Sequence, residues 1–474
     1  MKTPPSIFWF RRDLRLSDHP ALLDAVERGR GRVVGLFILD DEFLAPAGAT
    51  RVNYLRASLE ALATQLNGAL VLRRGDPAAV LAEVVRETGA TDVVVTGDYG
   101  PRGRARDERV ARALARAGAT LTVVDSPYVV APGVVRTKTG SPCRVFGAFR
   151  RGWQEQSFTA PYDAPREATF ERVASLDFTV FDDLPAPLAP PYFGELSALA
   201  PAPIGPAGEV AGLERLRAFT ATVGAYDQTR NLPGVDGTSR LSPFLRFGAL
   251  HPRTVLRATS GLNAGHATFT SEICWREFYA DVLFHQPDST WRVLQPSLAS
   301  LKIDRDARAV ERFQAWALGR TGYPLVDAGM RQLLNDGWMH NRVRMVAASF
   351  LVKHLHLDWR WGAKWFMWRL IDGDLASNQH GWQWTAGTGT DAAPFHRVLN
   401  PTLQAERFDP DGTYVRRYVS ELADVAAPQC LQPGGGTGLL RPADYPAPLI
   451  DANHERQEAL ARFAQARADA AVAS

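Results

Sequence analysis

SIFWF (residues 6–10) is the first of five short apolar runs that decide the fold of the N-terminal part. The others are VVGLFIL (33–39), ALVLRRG (69–75), DVVVTG (92–97) and LTVVDS (121–126). Segments between them, such as residues 21–28 and 52–66, have helical apolar spacing. Strands alternating with helices in this way predict a parallel sheet covered by helices on both faces. We therefore expect residues 1–130 to form a doubly wound, Rossmann-like α/β domain.

The loop RRDLRLSDHP (11–20) follows the first predicted strand and is rich in cations. Ligands of α/β domains usually bind at the carboxyl ends of strands, so this loop is a candidate ligand site, with Ser17 as a possible helix N-cap. A solvated loop with structural arginine pairs is an equally good interpretation. No GxGxxG or GxxxxGK[ST] motif follows any of the strands, which argues against a dinucleotide or P-loop site.

Two further segments follow the α/β domain. Residues 131–210 are rich in Pro, Ala and Gly without a sustained apolar period, which predicts an interdomain linker. Between residues 211 and 474, apolar residues recur every three or four positions in GLERLRAFTATV, TFTSEICWREFYADVLF, VDAGMRQLLNDGW and NRVRMVAASFLVKHL. This period predicts an all-α domain. The predicted fold class is thus α/β followed, after a long linker, by all-α.

The composition excludes several classes of protein. The 474 residues are 46% hydrophobic and 22% charged, which is typical of soluble globular proteins. Neither a membrane-spanning run nor a signal peptide is recognisable, so we expect a cytoplasmic protein. Cys143, Cys274 and Cys430 are far apart and have no zinc-site spacing, so they are expected to be buried and metal-free. The net charge of +3 means that a nucleic-acid surface would have to be a local patch.

Ten of the 12 tryptophans lie between Trp275 and Trp384, and the series ends in DGDLASNQHGWQW (372–384). Indoles can build a core, relay electrons or stack on flat rings, so this density indicates redox or light chemistry on an aromatic cofactor. Trp361, Trp365 and Trp368 have helical spacing and are expected in the core.

Polar clusters in the helical part suggest where a ligand binds. Residues 234–242 contain two glycines, three hydroxyl side chains and Arg240, and they lie just before a predicted helix. This arrangement suits a diphosphate but also a plain capping turn. Glu272, Trp275 and Arg276 share one helix, and Asn341 and Met345 lie one turn apart on another. No Ser/His/Asp or metal-ligand set competes with these clusters.

Longer motifs, from residue 6 to about residue 450, resemble the DNA photolyase and cryptochrome family. They are FWFRRDLRLSDHPAL, YDQTRNLP, GTSRLSP, EICWREFY, TGYPLVDAGMRQL, GWMHNRVRM, IDGDLASNQHGWQW, GTGTDA and NPTLQAERFD. The resemblance implies an antenna-binding α/β domain and a helical domain that holds FAD. It is greatest to bacterial class I cyclobutane pyrimidine dimer photolyases, whose activity is that of a deoxyribodipyrimidine photo-lyase, a carbon–carbon lyase.

The resemblance assigns individual residues to FAD and to DNA. The implied FAD contacts are Tyr226, Thr238, Ser239, Arg240, Leu241, Ser242, Arg276, Asp372, Asp374 and Asn378. The implied contacts to the lesion and its DNA strand are Arg230, Glu272, Trp275, Asn341, Arg342, Arg344, Met345, Trp384 and Arg397. Asn378 resembles the photolyase amide at flavin N5, and Met345 after HNRVR resembles the dimer-splitting enzymes.

The implied reaction passes an electron from light-excited, fully reduced anionic FAD to a pyrimidine dimer flipped out of the duplex, which then splits. Glu272 is the candidate for stabilising the dimer radical anion, and the other catalytic candidates are Asn378, Trp382 and Trp359. The expected partner is DNA containing cyclobutane pyrimidine dimers. We expect a cytoplasmic bacterial monomer that joins the nucleoid when bound to DNA and has no membrane or obligate protein partner.

The chain departs from the family pattern in its electron chain and in its antenna motif. Trp382 and Trp359 match the first two tryptophans of the chain, but the third position holds Ile303 or Asp306, which leaves Trp316 and Trp361 as alternative surface donors. GDYGPRGRARD (97–107) and RVNYL (51–55) resemble relatives that bind 8-hydroxy-5-deazaflavin. We favour this antenna over methenyltetrahydrofolate, a second flavin or no antenna.

Two other functions are compatible with parts of the sequence. A cryptochrome-type blue-light photoreceptor without repair activity would be expected to lack Trp275, Met345 or Asn378, and all three are present. A flavin-dependent redox enzyme of another class is disfavoured because the dinucleotide fingerprint is missing.

Overall fold

The computed structural model describes residues 4–391, 397–432 and 442–472; the last residue of the GTGTDA motif lies outside these ranges. The strands are β1 (Ser6–Phe10), β2 (Arg32–Leu39), β3 (Val71–Arg74), β4 (Asp92–Val95), β5 (Thr120–Val123) and β6 (Thr169–Phe170). The helices are α1 (Pro20–Arg28), α2 (Asp41–Leu44), α3 (Ala49–Gln65), α4 (Pro77–Thr88), α5 (Pro101–Arg116), α6 (Phe146–Gln154), α7 (Gly208–Thr220), α8 (Tyr226–Thr229), α9 (Ser242–Phe247), α10 (Pro252–Ala258), α11 (Ala264–His285), α12 (Ala307–Ala317), α13 (Pro324–Asp336), α14 (Asn341–Lys353), α15 (Trp359–Arg369), α16 (Leu375–Ala386), α17 (Pro401–Phe408), α18 (Thr413–Tyr418) and α19 (Ala452–Val472).

The predicted parallel sheet is present. Its strand order is β3-β2-β1-β4-β5, with β6 pairing with β2, and every strand pair is parallel. The apolar runs place Ile7, Val34 and Val93 in a core with the helix residues Leu81 and Val84. Since the strand order reverses between β1 and β4, the loops after these two strands flank the crevice where doubly wound sheets usually bind ligands.

The first helix begins at a different residue from the one expected. Its N-cap is His19, whose side chain accepts a hydrogen bond from Leu22 N at 3.4 Å. Ser17 instead donates its hydroxyl and, at 2.9 Å, its backbone N–H to Glu209. The prediction of Ser17 as N-cap was wrong because Pro20, with its fixed φ, sets the first helical position.

The segment 131–210 contains more structure than its composition indicates. Helix α6 lies within it and buries Phe149 and Trp153. The indole Nε1 of Trp153 donates to Glu277 of α11 at 2.7 Å. The sequence did not predict this helix because nine residues of amphipathic pattern are too few to stand out among flanking Pro and Gly.

Packing divides the chain into two compact units. The first unit extends to Leu188 and includes Gly205–Gly224 and Ser239–Pro287; the second consists of Ala189–Ile204, Ala225–Thr238 and the chain from Asp288 onward. Helices α7, α9, α10 and α11 therefore belong with the sheet, where Tyr54 of α3 packs on Phe247 of α9 with ring centroids 5.2 Å apart. The boundaries predicted at residues 130 and 210 follow composition, whereas the units follow packing.

The second unit is helical, and aromatic residues dominate its core. Trp316 and Trp365 are completely buried and Trp368 is 5% exposed. The predicted core positions are confirmed for Trp365 and Trp368, whereas Trp361 is only half-buried and packs against the same core. The three cysteines are buried and unpaired. In the part of the chain that the structure describes, no helix has the length and apolar character needed to cross a membrane.

Candidate active site

Helix α16 carries the densest set of polar and aromatic candidates, and most of its polar groups bind protein. Asp374 caps the helix by accepting from Ser377 N at 3.0 Å. Gln379 donates to Thr290 O at 2.6 Å, and Gln383 donates to Ser289 O at 2.7 Å. These bonds attach α16 to the segment 289–294 and fix its rotation about its own axis.

Asn378 lies on the same helix, but its amide oxygen accepts no hydrogen bond from the described residues. Both Nδ2 protons are donated, to Ala363 O at 3.0 Å and to Gln379 Oε1 at 2.8 Å. The side chain is therefore held with a known orientation, and its oxygen is the atom that can accept from a ligand.

Asp372 provides a second, buried acceptor in this unit. Its Oδ2 accepts from Arg344 Nη2 at 2.8 Å, and its side chain is 2% exposed. Its Oδ1 is buried without a hydrogen-bond partner, which is costly for a carboxylate oxygen. A ligand that donates a hydrogen bond here would remove that cost, so Asp372 and Asn378 fit the flavin that the resemblance implies.

The predicted electron-relay residues are buried in the second unit. Trp382 and Trp359 are 3% and 5% exposed. Trp382 packs on Gly362, where any side chain would overlap the indole, and its ring lies 5.0 Å from that of Phe366.

The candidates for the terminal donor differ in exposure. The ring of Trp316 lies 6.1 Å from that of Trp382, but Trp316 is completely buried and donates its Nε1–H to Ala347 O. The prediction of Trp316 as a surface donor was therefore wrong. Trp361 is half-buried and stacked on Tyr192 at 4.5 Å. Of the two residues at the expected third position, Ile303 is half-buried and Asp306 caps α12.

Helix α14 presents the predicted lesion contacts of this unit. Asn341 is its exposed first residue, and Met345 lies one turn later and is half-buried. The start of the helix is fixed because His340 N donates to Gln332 Oε1 at 3.1 Å. Arg344, predicted to contact phosphate, is held by Met339 O and Asp372. The remaining predicted contact, Trp384, is half-buried near the end of α16.

Arginines converge near the start of α14. Arg342 donates to Asn231 Oδ1 at 2.7 Å and lies over the Phe408 ring at 4.5 Å. Burial, and then the charges of Arg230, Arg407 and Arg397, lower the pKa of Arg342. The structure thus brings together three predicted DNA contacts and adds Arg407, which the sequence interpretation missed. The only signal for Arg407 was its position beside Phe408 in NPTLQAERFD, which pairs a cation with an aromatic ring.

The first unit carries several of the other predicted contacts, whereas Tyr226 and Thr238 belong to the second unit. Glu272, Trp275 and Arg276 lie on α11 and are half-buried. Arg276 donates to Pro127 O and Leu245 O, each at 3.3 Å, which places it beside α9. Helix α9 begins at Ser242, after Arg240 with φ 51° and the buried Leu241. Trp275 is stacked on Phe146 of α6, a residue that no sequence motif indicated.

A small pocket that opens to solvent lies in the first unit beyond the carboxyl ends of β1, β4 and β5. Its lining consists of Arg11, Arg12, Asp13, Thr96, Gly97, Asp98, Tyr99, Pro127 and Tyr128. Burial alone would raise the pKa of Asp98, but the charges of Arg106, Arg11 and Arg12 outweigh it and lower that pKa. The pocket is therefore lined by two tyrosine rings and by charged side chains of both signs, two arginines and two aspartates.

The loop after β1 contains residues that line the pocket and residues with a structural role. Arg11 and Arg12 line the pocket. Arg15 and Asp18 are buried structural residues: Arg15 donates to Gly248 O at 3.0 Å, and Asp18 accepts from Arg253 at 3.1 Å. The described residues contain no cluster of three or more His, Cys, Asp or Glu side chains suited to a metal ion.

Comparisons with known proteins give the family. A model described as DNA photolyase matches residues 6–167, and one described as the FAD binding domain of DNA photolyase matches residues 269–465. A protein of Agrobacterium fabrum named deoxyribodipyrimidine photo-lyase is 39% identical over 98% of each chain.

Two solved structures extend the comparison. A bacterial class III photolyase from Agrobacterium tumefaciens has a TM-score of 0.89 and 38% identity, and the match covers 98% of each chain. An archaeal photolyase from Sulfolobus tokodaii with two FAD molecules has a TM-score of 0.82 and 26% identity over 97% of this chain and all of its own. The class I resemblance stays a prediction, but the chain belongs to the DNA photolyase family.

Proposed function

We propose that this chain splits cyclobutane pyrimidine dimers in DNA with an electron supplied by light-excited, reduced FAD. The observation that carries the proposal is 39% identity, over 98% of both chains, to a protein named deoxyribodipyrimidine photo-lyase. The presence of Trp275, Met345 and Asn378 supports repair over the photoreceptor alternative.

FAD, when bound, supplies the electron, and the protein orients it and fixes its protons. Asn378 offers an amide oxygen to a ring N–H without adding a charge, which suits the reduced flavin. Asp372 offers the unpaired Oδ1 described above. Arg344, bonded to the other oxygen of Asp372, is better placed to orient this carboxylate than to contact DNA phosphate.

The remaining cofactor contacts are proposed on the resemblance and on their positions. They are Tyr226, Thr238, Ser239, Arg240, Leu241, Ser242, Arg276 and Asp374. Since α9 has only six residues, its dipole contributes little, and hydroxyl and guanidinium donors are the main phosphate ligands there. Asp374 caps α16 and thereby fixes the helix that carries Asn378.

Lesion recognition requires flat apolar surfaces and a few polar groups. Trp275 and Trp384 supply the rings, Met345 a polarisable contact, and Glu272 and Asn341 the groups that read carbonyl and imide edges. Extruding two adjacent pyrimidines of one strand from the duplex costs a few kcal/mol, and the cost is lowest when they are damaged and poorly stacked. Glu272 is proposed to stabilise the charge that develops on the dimer carbonyl.

The arginine cluster of Arg230, Arg342, Arg397 and Arg407 is proposed to bind the DNA backbone. Burial lowers the pKa of Arg342 most, and repulsion from the charges of Arg230, Arg407 and Arg397 lowers it further. Phosphates relieve this repulsion and release counterions. Such a patch explains how a chain with a net charge of only +3 could bind DNA.

The pocket of the first unit is proposed to hold the antenna chromophore. Its two tyrosine rings suit the flat ring system of 8-hydroxy-5-deazaflavin, and Arg11 and Arg12 suit its acidic ring hydroxyl. We favour this ligand over methenyltetrahydrofolate. The second FAD of the archaeal photolyase, whose structure is described as implying a light-harvesting cofactor, supports an antenna of the flavin type.

The test is blue-light repair of an oligonucleotide with one defined thymine dimer by the purified, chemically reduced protein. Loss of the dimer in light and its persistence in the dark are expected. The matched control is oxidised protein irradiated at the same wavelength, with a light dose too small to photoreduce its flavin. Fully FAD-loaded, reduced protein that leaves the dimer intact would favour the photoreceptor function.

A further inference from the structure

The indole of Trp275 is covered on one face by another ring. The centroids of Phe146 and Trp275 are 3.6 Å apart and the ring planes differ by 8°, which is a parallel stack at van der Waals contact. Phe278 and Tyr279 meet the same indole at 73° and 45°, so they support its edges. Among the described residues, no second ring is stacked parallel on the indole.

Phe146 cannot easily leave this position, because α6 is attached to α11 near its C-terminus and in its middle. Near its C-terminus, Trp153 Nε1 donates to the buried carboxylate of Glu277 at 2.7 Å. That carboxylate also accepts from Val129 N and Val130 N, at 2.6 and 3.0 Å, so the anchor is rigid. In the middle of α6, Phe149 packs on Phe278 with centroids 5.4 Å apart.

We propose that Phe146 is a positioning residue for lesion recognition, holding the indole of Trp275 in one orientation so that a flipped pyrimidine dimer stacks on the face opposite Phe146. The proposal rests on the proposed function, since it takes Trp275 as the dimer-stacking residue. A ring that is already immobilised loses little conformational freedom on binding, so stacking contributes more to affinity. Phe146 itself touches neither DNA nor cofactor in this mechanism.

In the opposite role, Phe146 would occupy the position of a base on Trp275 until the dimer displaces it; we call this a placeholder. A ring parallel to an indole at 3.6 Å occupies the place that a base would take, and it could be expelled by the dimer. The anchoring of α6 by Glu277 and Phe278 argues against expulsion. The two roles predict opposite effects of removing the ring: weaker dimer binding for a support, and tighter binding for a placeholder.

The experiment measures binding in the dark of the FAD-loaded protein to duplexes with and without one thymine dimer. Phe146→Leu removes the flat ring and keeps an apolar side chain, Phe146→Tyr keeps the ring, and Trp275→Ala is the reference. Phe158→Leu is the matched control, because Phe158 lies on the same segment and packs on Trp153 at 4.8 Å, not on Trp275. Phe146→Ile replaces the leucine variant if that protein does not fold.

For Phe146→Leu, the Kd for dimer DNA should rise about three- to tenfold, the range of one aromatic pair, while the Kd for undamaged DNA changes less than about twofold. Repair yield per absorbed photon at saturating DNA should not change. Phe146→Tyr and Phe158→Leu should both bind like the wild type. In a Trp275→Ala background, Phe146→Leu should cause no further loss, because the indole that it supports is gone.

Unchanged or tighter dimer binding by Phe146→Leu would overturn the proposal, as would an equal loss on both DNAs. If Trp275→Ala loses discrimination and Phe146→Leu does not, only the supporting role is wrong. If the wild type itself binds both duplexes equally, the proposed function is what fails.

Discussion

Neighbouring residues on α16 have different roles although they look alike in the sequence. Gln379 and Gln383 bind backbone carbonyls of the segment 289–294, whereas the oxygen of Asn378 is left for a ligand. The sequence could predict that this stretch is functional, because its carboxylates, amides and indoles are unusually dense. It could not separate the two kinds of amide, since that depends on the direction in which each side chain leaves the helix.

Trp382→Phe should separate photoreduction from repair. Trp382 is buried and in contact with other aromatic rings, so it can pass electrons towards the flavin site, but it is not assigned to the dimer. We expect photoreduction of oxidised FAD to slow at least about tenfold, and repair by chemically reduced protein to stay within about twofold of wild type. Flash photolysis and dimer repair measure the two rates.

Trp361→Phe is the companion variant, since Trp361 is the half-buried candidate for the outer donor. It should slow photoreduction, while Trp368→Phe on the same helix should not. If pre-reduced Trp382→Phe lost repair as completely as photoreduction, the separation of the two roles would be wrong.

Arg407→Ala should weaken binding to any DNA sequence, because a phosphate contact carries no base information. We expect the slope of log K against log salt to fall by about one unit for Arg407→Ala, and likewise for Arg397→Ala. Arg116→Ala on α5, outside the arginine cluster, is the control and should keep the wild-type slope. An unchanged slope for Arg407→Ala, or a loss confined to dimer DNA, would remove it from the backbone contacts.

Elements with a long apolar period were predictable, and short ones were not. All five predicted strands and the helices α7, α11, α13 and α14 are present. Helix α6 and strand β6 were missed because nine and two residues carry too little periodic signal. Yet α6 supplies Phe146, so a functionally important contact originates in the segment that the composition assigned to a linker.

The attachment of α16 to the segment 289–294 should depend on pH through His380. Its Nδ1–H donates to Ala376 O at 2.7 Å, and its Nε2 accepts from Ser289 Oγ at 3.0 Å, which requires the neutral imidazole. Burial lowers the pKa of His380 to about 4, although the bond to Ala376 opposes the shift. The unfolded chain takes up this proton near pH 6.5 and the folded chain does not, so this contribution to stability is lost as pH falls from 6.5 towards 4.

His380→Leu should destabilise the protein at pH 7, and the difference from wild type should narrow as the pH is lowered to 5. Gln383→Leu, which breaks bonds to the same segment without removing a titrating group, should show a difference that is constant with pH. Urea unfolding at pH 7, 6 and 5 measures both. A His380→Leu difference that stays constant or widens in acid would contradict the assignment of the neutral imidazole.

The complete chain shows why overall composition is a poor guide to its partners. A net charge of +3 conceals the arginine cluster in one unit and a pocket lined by arginines and aspartates in the other. In the sequence, motifs and strand ends mark both candidate ligand regions. The sequence could not predict Arg407, Pro127 and Tyr128 as members, since they are brought to these regions by packing between distant segments.

The antenna pocket and the repair chemistry should be separable in one protein. Tyr99→Ala removes one ring of the pocket but no proposed contact to FAD or the dimer, so it should abolish binding of added 8-hydroxy-5-deazaflavin while FAD content stays unchanged. Repair per incident photon at the wavelength where the deazaflavin absorbs should fall to the level given by direct flavin excitation, and repair per photon absorbed by the flavin should be unaffected. Leu188→Ala, an exposed apolar residue of the same unit far in sequence from the pocket loops, is the control. An action spectrum of Tyr99→Ala identical to that of the deazaflavin-loaded wild type would place the antenna elsewhere, and simultaneous loss of FAD would mean that Tyr99 supports the flavin site as well.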